Sequence, residues 1–123
     1  MTKPGHIEIN DVPFKFNLHS NEIVLQIKKI GVCGSDIHVY HGEHPATPYP
    51  VIQGHEYAGV VLSIGSNVKS VKVGQKATAR PQLVCNQCNP CKRGHYNVCQ
   101  NLRVQGFQAP RTAQDFFVVP EDR

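Results

Sequence analysis

No stretch of the sequence approaches the roughly 18 consecutive apolar residues that a membrane-crossing helix requires. The opening Met1-Thr2-Lys3-Pro4-Gly5-His6 lacks the apolar core of a secretory leader. These absences argue against a membrane partner and make a soluble cytoplasmic protein the expectation. There is also no block of basic charge: the formal net charge of +4 is scattered, its densest group being Lys69, Lys72 and Lys76. Without such a block, and without an aromatic stacking platform beside it, no nucleic-acid partner is expected, and the lysines read as a solvated face. No Gly-x-Gly-x-x-Gly lies between a strand and a helix, and the Gly54 to Gly59 segment lacks the Lys-Ser/Thr ending of a phosphate loop, so no dinucleotide-binding domain is expected within these residues. Helix-period patterns are nearly absent, as are repeats and low-complexity tracts.

What remains is ordinary globular material. With 123 residues, 40% hydrophobic and 18% charged, the chain can bury one core. It is too short for a substrate domain plus a nucleotide domain, which need about 100 to 150 residues each. Alternation dominates. Ile23, Leu25 and Ile27 share one face of a strand over Glu22 to Ile30, although Val24 breaks the pattern. Tyr57 to Ile64, closed by Gly65-Ser66-Asn67, and Val68 to Ala77 around Gly74 read as two further strands, and Ala113 to Val119 as a last one. Short strands with Gly and Pro punctuation predict a mainly β fold, a small, partly open barrel. Gly31 to Pro50 and Pro81 to Gln105 fit no strand pattern, and each is long enough to need a functional or metal-based reason for order.

Five cysteines, four of them between Cys85 and Cys99, with no secretory signal, argue against a disulfide framework and for thiolate ligands. Cys85-x2-Cys88-x2-Cys91-x7-Cys99 matches a closed, tetrahedral, all-sulfur structural zinc site in a lobe of about residues 81–105. An iron–sulfur run begins in the same way, but there the fourth cysteine follows after three residues and precedes proline; here the gap is seven and Gln100 follows. Zinc is therefore expected. A site whose coordination shell is full performs no chemistry.

A second constellation lies outside the lobe. Cys33 follows the first expected strand, and Gly54-His55-Glu56 precedes the second, so a sulfur and a nitrogen ligand can converge at strand ends as a catalytic zinc needs. Glu56 is a candidate third ligand, provided that the backbone turns at Gly54, because neighbours on an extended strand point to opposite sides. Taken alone, Cys33 could be a small buried hydrophobe and His55 a satisfied core group.

Gly-Val-Cys-Gly-Ser-Asp-Ile-His at 31–38, then Gly-His-Glu-Tyr-Ala-Gly-Val-Val at 54–61, then the cysteine lobe, resembles the N-terminal part of zinc-dependent medium-chain dehydrogenases, nearest the sorbitol, polyol and threonine branch. The resemblance covers nearly the whole chain. It implies a GroES-like, partly open β-barrel as a catalytic domain over residues 1–123, with a catalytic zinc on Cys33 and His55, and Glu56 as a direct or exchanging ligand. It further implies oxidation of a small-molecule alcohol or polyol, with hydride passing to NAD or NADP, and a homo-oligomeric whole enzyme. The family's remaining ligand is expected beyond Arg123, and the chain reads as a truncated form that binds zinc without turning over substrate.

Such chemistry needs a hydroxyl beside the metal and a titratable group leading to solvent. Ser35 and His38 suit those roles, and Asp36 is a candidate acceptor for the free ring N–H of His55. The bland alternatives are a turn residue for Ser35, an exposed side chain for His38 and a turn cap for Asp36. His41 and His44 carry no assignment. A zinc-stabilised interaction module without chemistry, and a zinc-ribbon-like nucleic-acid binder, need the four-cysteine site but not Cys33 and His55. Two local departures from the family stand out: the opening strand is shortened before Pro4-Gly5, and Arg111 occupies a position where glycine is common.

Overall fold

Residues 1–45, 47–105, 109 and 112–123 are described by a computed structural model. The alternating segment forms β1 (Glu22–Gly31), the hub of a four-stranded antiparallel sheet. It pairs on one side with β2 (Glu56–Ile64) and on the other with β6 (Phe116–Pro120), while β2 also pairs with β3 (Lys76–Ala77), giving the order β3-β2-β1-β6. A second, two-stranded sheet joins β4 (Gln82–Leu83) to β5 (Arg103–Val104). The architecture is mainly β, as expected. No helix among the described residues is long and apolar enough to cross a membrane.

The irregular alternation at Val24 has a structural cause. Val24 pairs with Ser63 but Leu25 with Val61, so Leu62 is an extra residue on β2, and Ile23, Val24 and Leu25 are all buried in succession. Such a bulge changes which face a side chain meets. A second register shift makes Lys28 the extra residue on β1, after which Lys29, Ile30 and Gly31 face Ala58, Tyr57 and Glu56. This second shift fixes which residues stand opposite one another at the strand ends where the candidate ligands lie.

The main core gathers Ile23, Leu25, Tyr57, Val61, Phe117 and Val119 from the three long strands. Burying each large side chain contributes about 1.5–3 kcal/mol. Tyr57 and Phe117 meet edge to face with ring centroids 5.8 Å apart, and burial pushes the Tyr57 hydroxyl up to about 12. A second, smaller core packs Val39 and Val51 with Met1, Tyr49 and Val104.

Three expectations are corrected. The segment after Cys33 contains a true helix, α1 (Gly34–His41), where no helical pattern was read. Its eight residues bury only Asp36 and Val39, too few for a periodic signal, and its marks are the ends: Asp36 at the third position and Gly42 in the left-handed conformation at the C-terminus. Between residues 68 and 77, strand pairing is confined to Lys76–Ala77, because Gly65-Ser66-Asn67 and Gly74 bracket turns rather than an extended run. The last strand begins at Phe116, three residues later than expected, since Ala113 is bonded instead to Gln53. Before β1, pairing among the described residues is reduced to an isolated Lys3–His6 bridge around Pro4-Gly5, in keeping with a shortened opening strand. Arg111 lies outside the described residues.

Candidate metal centres

Cys33 lies two residues beyond the end of β1 and caps α1 with an extended backbone. Its amide donates to Asp36 Oδ2 at 2.9 Å, and the Asp36 amide donates back to the Cys33 carbonyl at 3.0 Å. This reciprocal pair fixes the cysteine at the helix start and explains why a carboxylate suits the first turn. The other oxygen, Asp36 Oδ1, lies 3.6 Å from His55 Nδ1, both side chains being only 10% exposed. Gln53 Nε2 donates to the Asp36 carbonyl at 2.9 Å and so ties α1 to the segment that carries His55.

Gly54 has φ of 99°, in the region that favours glycine. It is held from behind: the Ala113 amide donates to the Gln53 carbonyl at 2.9 Å and the Thr112 amide to the Gly54 carbonyl at 3.4 Å. The turn at this junction removes the objection that adjacent strand residues point apart. One donor atom each from Cys33, His55 and Glu56 lie within 4.8 Å of one another. Sulfur, nitrogen and carboxylate oxygen from two places in the chain form a donor set that zinc accepts with room for a further ligand.

Ser35 and His38 stand three apart on α1, a spacing that puts them on one helix face. Ser35 is half-buried in the first turn. His38 is largely exposed and its Nδ1 lies 3.0 Å from Glu43 Oε2. Among the unassigned histidines, His44 Nδ1 pairs with Thr47 Oγ1 at 2.8 Å.

The lobe brings its four sulfurs together within 4.8 Å. Cys85 and Cys99 sulfurs are 3.6 Å apart and those of Cys88 and Cys99 3.9 Å. A tetrahedron with ~2.3 Å zinc–sulfur bonds has sulfur–sulfur edges of about 3.8 Å. All five cysteines are free thiols. Helix α2 (Asn89–Lys92) and a 3-10 turn at Tyr96–Val98 carry the chain from Cys88 to Cys99, and Gly94 at φ of 80° reverses it. Amides point at the sulfurs. Those of Gln87 and Cys88 hold the Cys85 thiol down at about 6, and those of Gln100 and Cys91 lower Cys88. Burial pushes Cys91 up to about 12, with the neighbouring thiols of Cys88 and Cys99 adding to it. Four sulfurs packed this closely repel one another as thiolates, and a bound cation would offset that repulsion.

All seven candidate ligands thus fall into the two groups expected, and Asp36 stands beside His55. Sequence reading missed Gln53, whose contact with Asp36 spans 17 positions and has no local signal, and the backing of Gly54 by Thr112 and Ala113, which depends on β6 being docked.

Residues 19–123 match the family described as Alcohol dehydrogenase GroES-like domain. The chain is 39% identical over 101 residues to the starvation-sensing protein RspB of Escherichia coli K12, covering 82% of this chain and 30% of that protein. It is 34% identical over 119 residues to the L-threonine 3-dehydrogenase of Bacillus subtilis 168, covering 93% and 33%. Among solved structures, an alcohol dehydrogenase from Escherichia coli CFT073 complexed with NADH superimposes with a TM-score of 0.83 at 34% identity, covering 98% of this chain and 35% of that one. The chain therefore spans about a third of the length of the relatives it matches.

Proposed function

The chain belongs to the alcohol dehydrogenase GroES-like domain family, and from that membership we propose that residues 1–123 form the zinc-binding catalytic domain of an NAD(P)-linked alcohol or polyol dehydrogenase. The observation that carries the proposal is the convergence of Cys33, His55 and Glu56 donor atoms within 4.8 Å, outside the cysteine lobe. A purely structural zinc module needs the lobe alone.

In this reading Cys33 supplies a thiolate, His55 a ring nitrogen and Glu56 a carboxylate oxygen to the catalytic zinc. With Nδ1 of His55 turned toward Asp36, Nε2 is the nitrogen left for the metal, and the carboxylate stands where it would orient the ring. A zinc ion held by Cys33, His55 and Glu56 would supply Lewis-acid polarisation of a substrate hydroxyl, and a nicotinamide would supply the hydride acceptor. The protein's own task is the proton. Ser35, two residues beyond Cys33 and half-buried, takes the hydroxyl proton into a hydrogen bond, and exposed His38, one turn further on α1, exchanges it with water. Cys85, Cys88, Cys91 and Cys99 hold a second, structural zinc in the lobe of about residues 81–105. An alcohol substrate and a nicotinamide cofactor are supported by kinship with relatives such as the L-threonine 3-dehydrogenase and the NADH-complexed alcohol dehydrogenase.

An anomalous-difference map at the zinc edge, from crystals grown with zinc, tests the reading. Two positions are expected, one within bonding distance of Cys33 and His55 and one in the lobe, the first disappearing in Cys33→Ser. A single position in the lobe would leave a zinc-stabilised interaction module and end the catalytic assignment.

A further inference from the structure

Gly31 and Glu56 are the terminal pair of the β1–β2 ladder. A Cβ built on Gly31 would lie 2.6 Å from Glu56 Oε2 and 3.1 Å from Glu56 Cβ. The Glu56 side chain therefore occupies the space that any side chain at residue 31 would fill. Gly5, Gly42, Gly54, Gly74 and Gly94 have positive φ, but Gly31 does not. Its backbone is one that alanine adopts without strain, so backbone freedom is no reason for glycine here. The closest contact that an added methyl would make is with a carboxylate, the flexible end of a side chain that can swing away, and the Glu56 Cβ at 3.1 Å need give by only a few tenths of an ångström. The fold would tolerate that move, whereas a donor set that includes the carboxylate would not.

We propose that Gly31 is a positioning residue: its missing side chain is the seat that keeps the Glu56 carboxylate beside Cys33 and His55, and a substituent at residue 31 expels that carboxylate from the metal site. The inference rests on the reading of Cys33, His55 and Glu56 as zinc ligands. It also gives the bulge at Lys28 a function, since without that one-residue shift Gly31 would not stand opposite Glu56.

The test is a double-substitution cycle read by metal release. Zinc-loaded wild type, Gly31→Ala, Glu56→Gln and the double variant are titrated with a chromophoric chelator, and the zinc lost in Cys33→Ser identifies the Cys33 position. Gly31→Ala is expected to weaken zinc there by about tenfold, the lower end of what loss of a supporting group costs, while the lobe zinc is released as in wild type. In the Glu56→Gln background, Gly31→Ala should add nothing, because the carboxylate it displaces is already gone. Wild-type affinity in Gly31→Ala would overturn the inference, as would an equal further loss in the Glu56→Gln background. If Cys33→Ser removes no zinc at all, the proposed catalytic centre itself falls, a result separable from either of those.

Discussion

Asp36 Oδ1 stands 3.6 Å from His55 Nδ1 while the second oxygen of the same carboxylate accepts the amide of Cys33. One buried side chain on a short helix thus holds one candidate ligand by a hydrogen bond and faces another that lies 22 positions away in sequence. Asp36→Ala removes both restraints. Zinc affinity at the Cys33 position is expected to drop ~10–100-fold, with about 1 kcal/mol of stability lost from the helix start. Chelator competition and urea unfolding read the two effects separately. An unchanged affinity would mean that His55 is oriented by something other than this carboxylate.

Ser35→Ala and His38→Gln should behave unequally in the whole enzyme. Loss of the half-buried hydroxyl is expected to cut turnover on the order of 100-fold, the scale of a positioned proton-transfer group. His38 is largely exposed, so water can replace much of its function and a smaller loss is expected. Zinc content should be unchanged in both, as measured by elemental analysis beside steady-state rates. Wild-type turnover in Ser35→Ala would remove the hydroxyl from the proton path.

Gly54→Ala should be costly for the fold as well as for the site. At φ of 99° a Cβ is strained, and it would sit 3.1 Å from both the Ala113 amide nitrogen and Thr112 Oγ1. A loss of about 1–3 kcal/mol is expected, measured by urea unfolding with zinc present. A loss below 0.5 kcal/mol, about what an ordinary surface substitution costs, would show that the turn relaxes freely.

Removal of metal from the lobe is expected to leave the thiols of Cys85, Cys88, Cys91 and Cys99 without the charge that holds them together. Hydrogen exchange after chelation should rise sharply over residues 85–99 while β1 and β2 keep their protection. Cys91→Ser should reproduce this without chelator, its buried sulfur having the greatest need of a cation. Equal exchange with and without metal would argue that the lobe is ordered by its backbone alone.

The acid limb of stability should carry a contribution from Glu121. Its Oε1 accepts the amides of Lys69 and Ser70, each at 2.7 Å, and these hold its carboxyl below the ordinary 4.5. A carboxyl lowered in the folded state gives stability that is fully present above the unfolded value and lost as pH falls through the folded one. The difference in Tm between wild type and Glu121→Gln should therefore be largest above about pH 5 and shrink below 4.5. A difference that grows toward acid would contradict the linkage.

The clustering of the four lobe cysteines and the long strands were legible because each writes itself locally: thiol spacing within the lobe, alternation along β1 and an apolar, β-branched run along β2. Helix α1 was not, since an eight-residue helix with two buried side chains leaves no period to read and is marked only by Asp36 and Gly42. Register was equally hidden. The extra residues Leu62 and Lys28 decide which side chains face each other, yet neither is a glycine or proline that would mark a bulge. The contribution of Val68 to the core was correctly sensed as apolar but assigned to an extended strand, because burial of a turn residue and burial of a strand residue look alike in one dimension.

The four sulfurs of the lobe lie within fifteen positions of sequence, whereas Cys33 and His55 meet only after β1 has found β2 in the correct alignment. Closing a short segment is fast, and pairing distant strands is slow. Metal capture by the refolding chain is thus expected to be sequential, with the lobe filling while the chain is still largely unorganised and the second position opening only when β1 and β2 have paired. Zinc scarcity during refolding would on this view leave the later position unfilled first and yield a population stapled at the lobe alone.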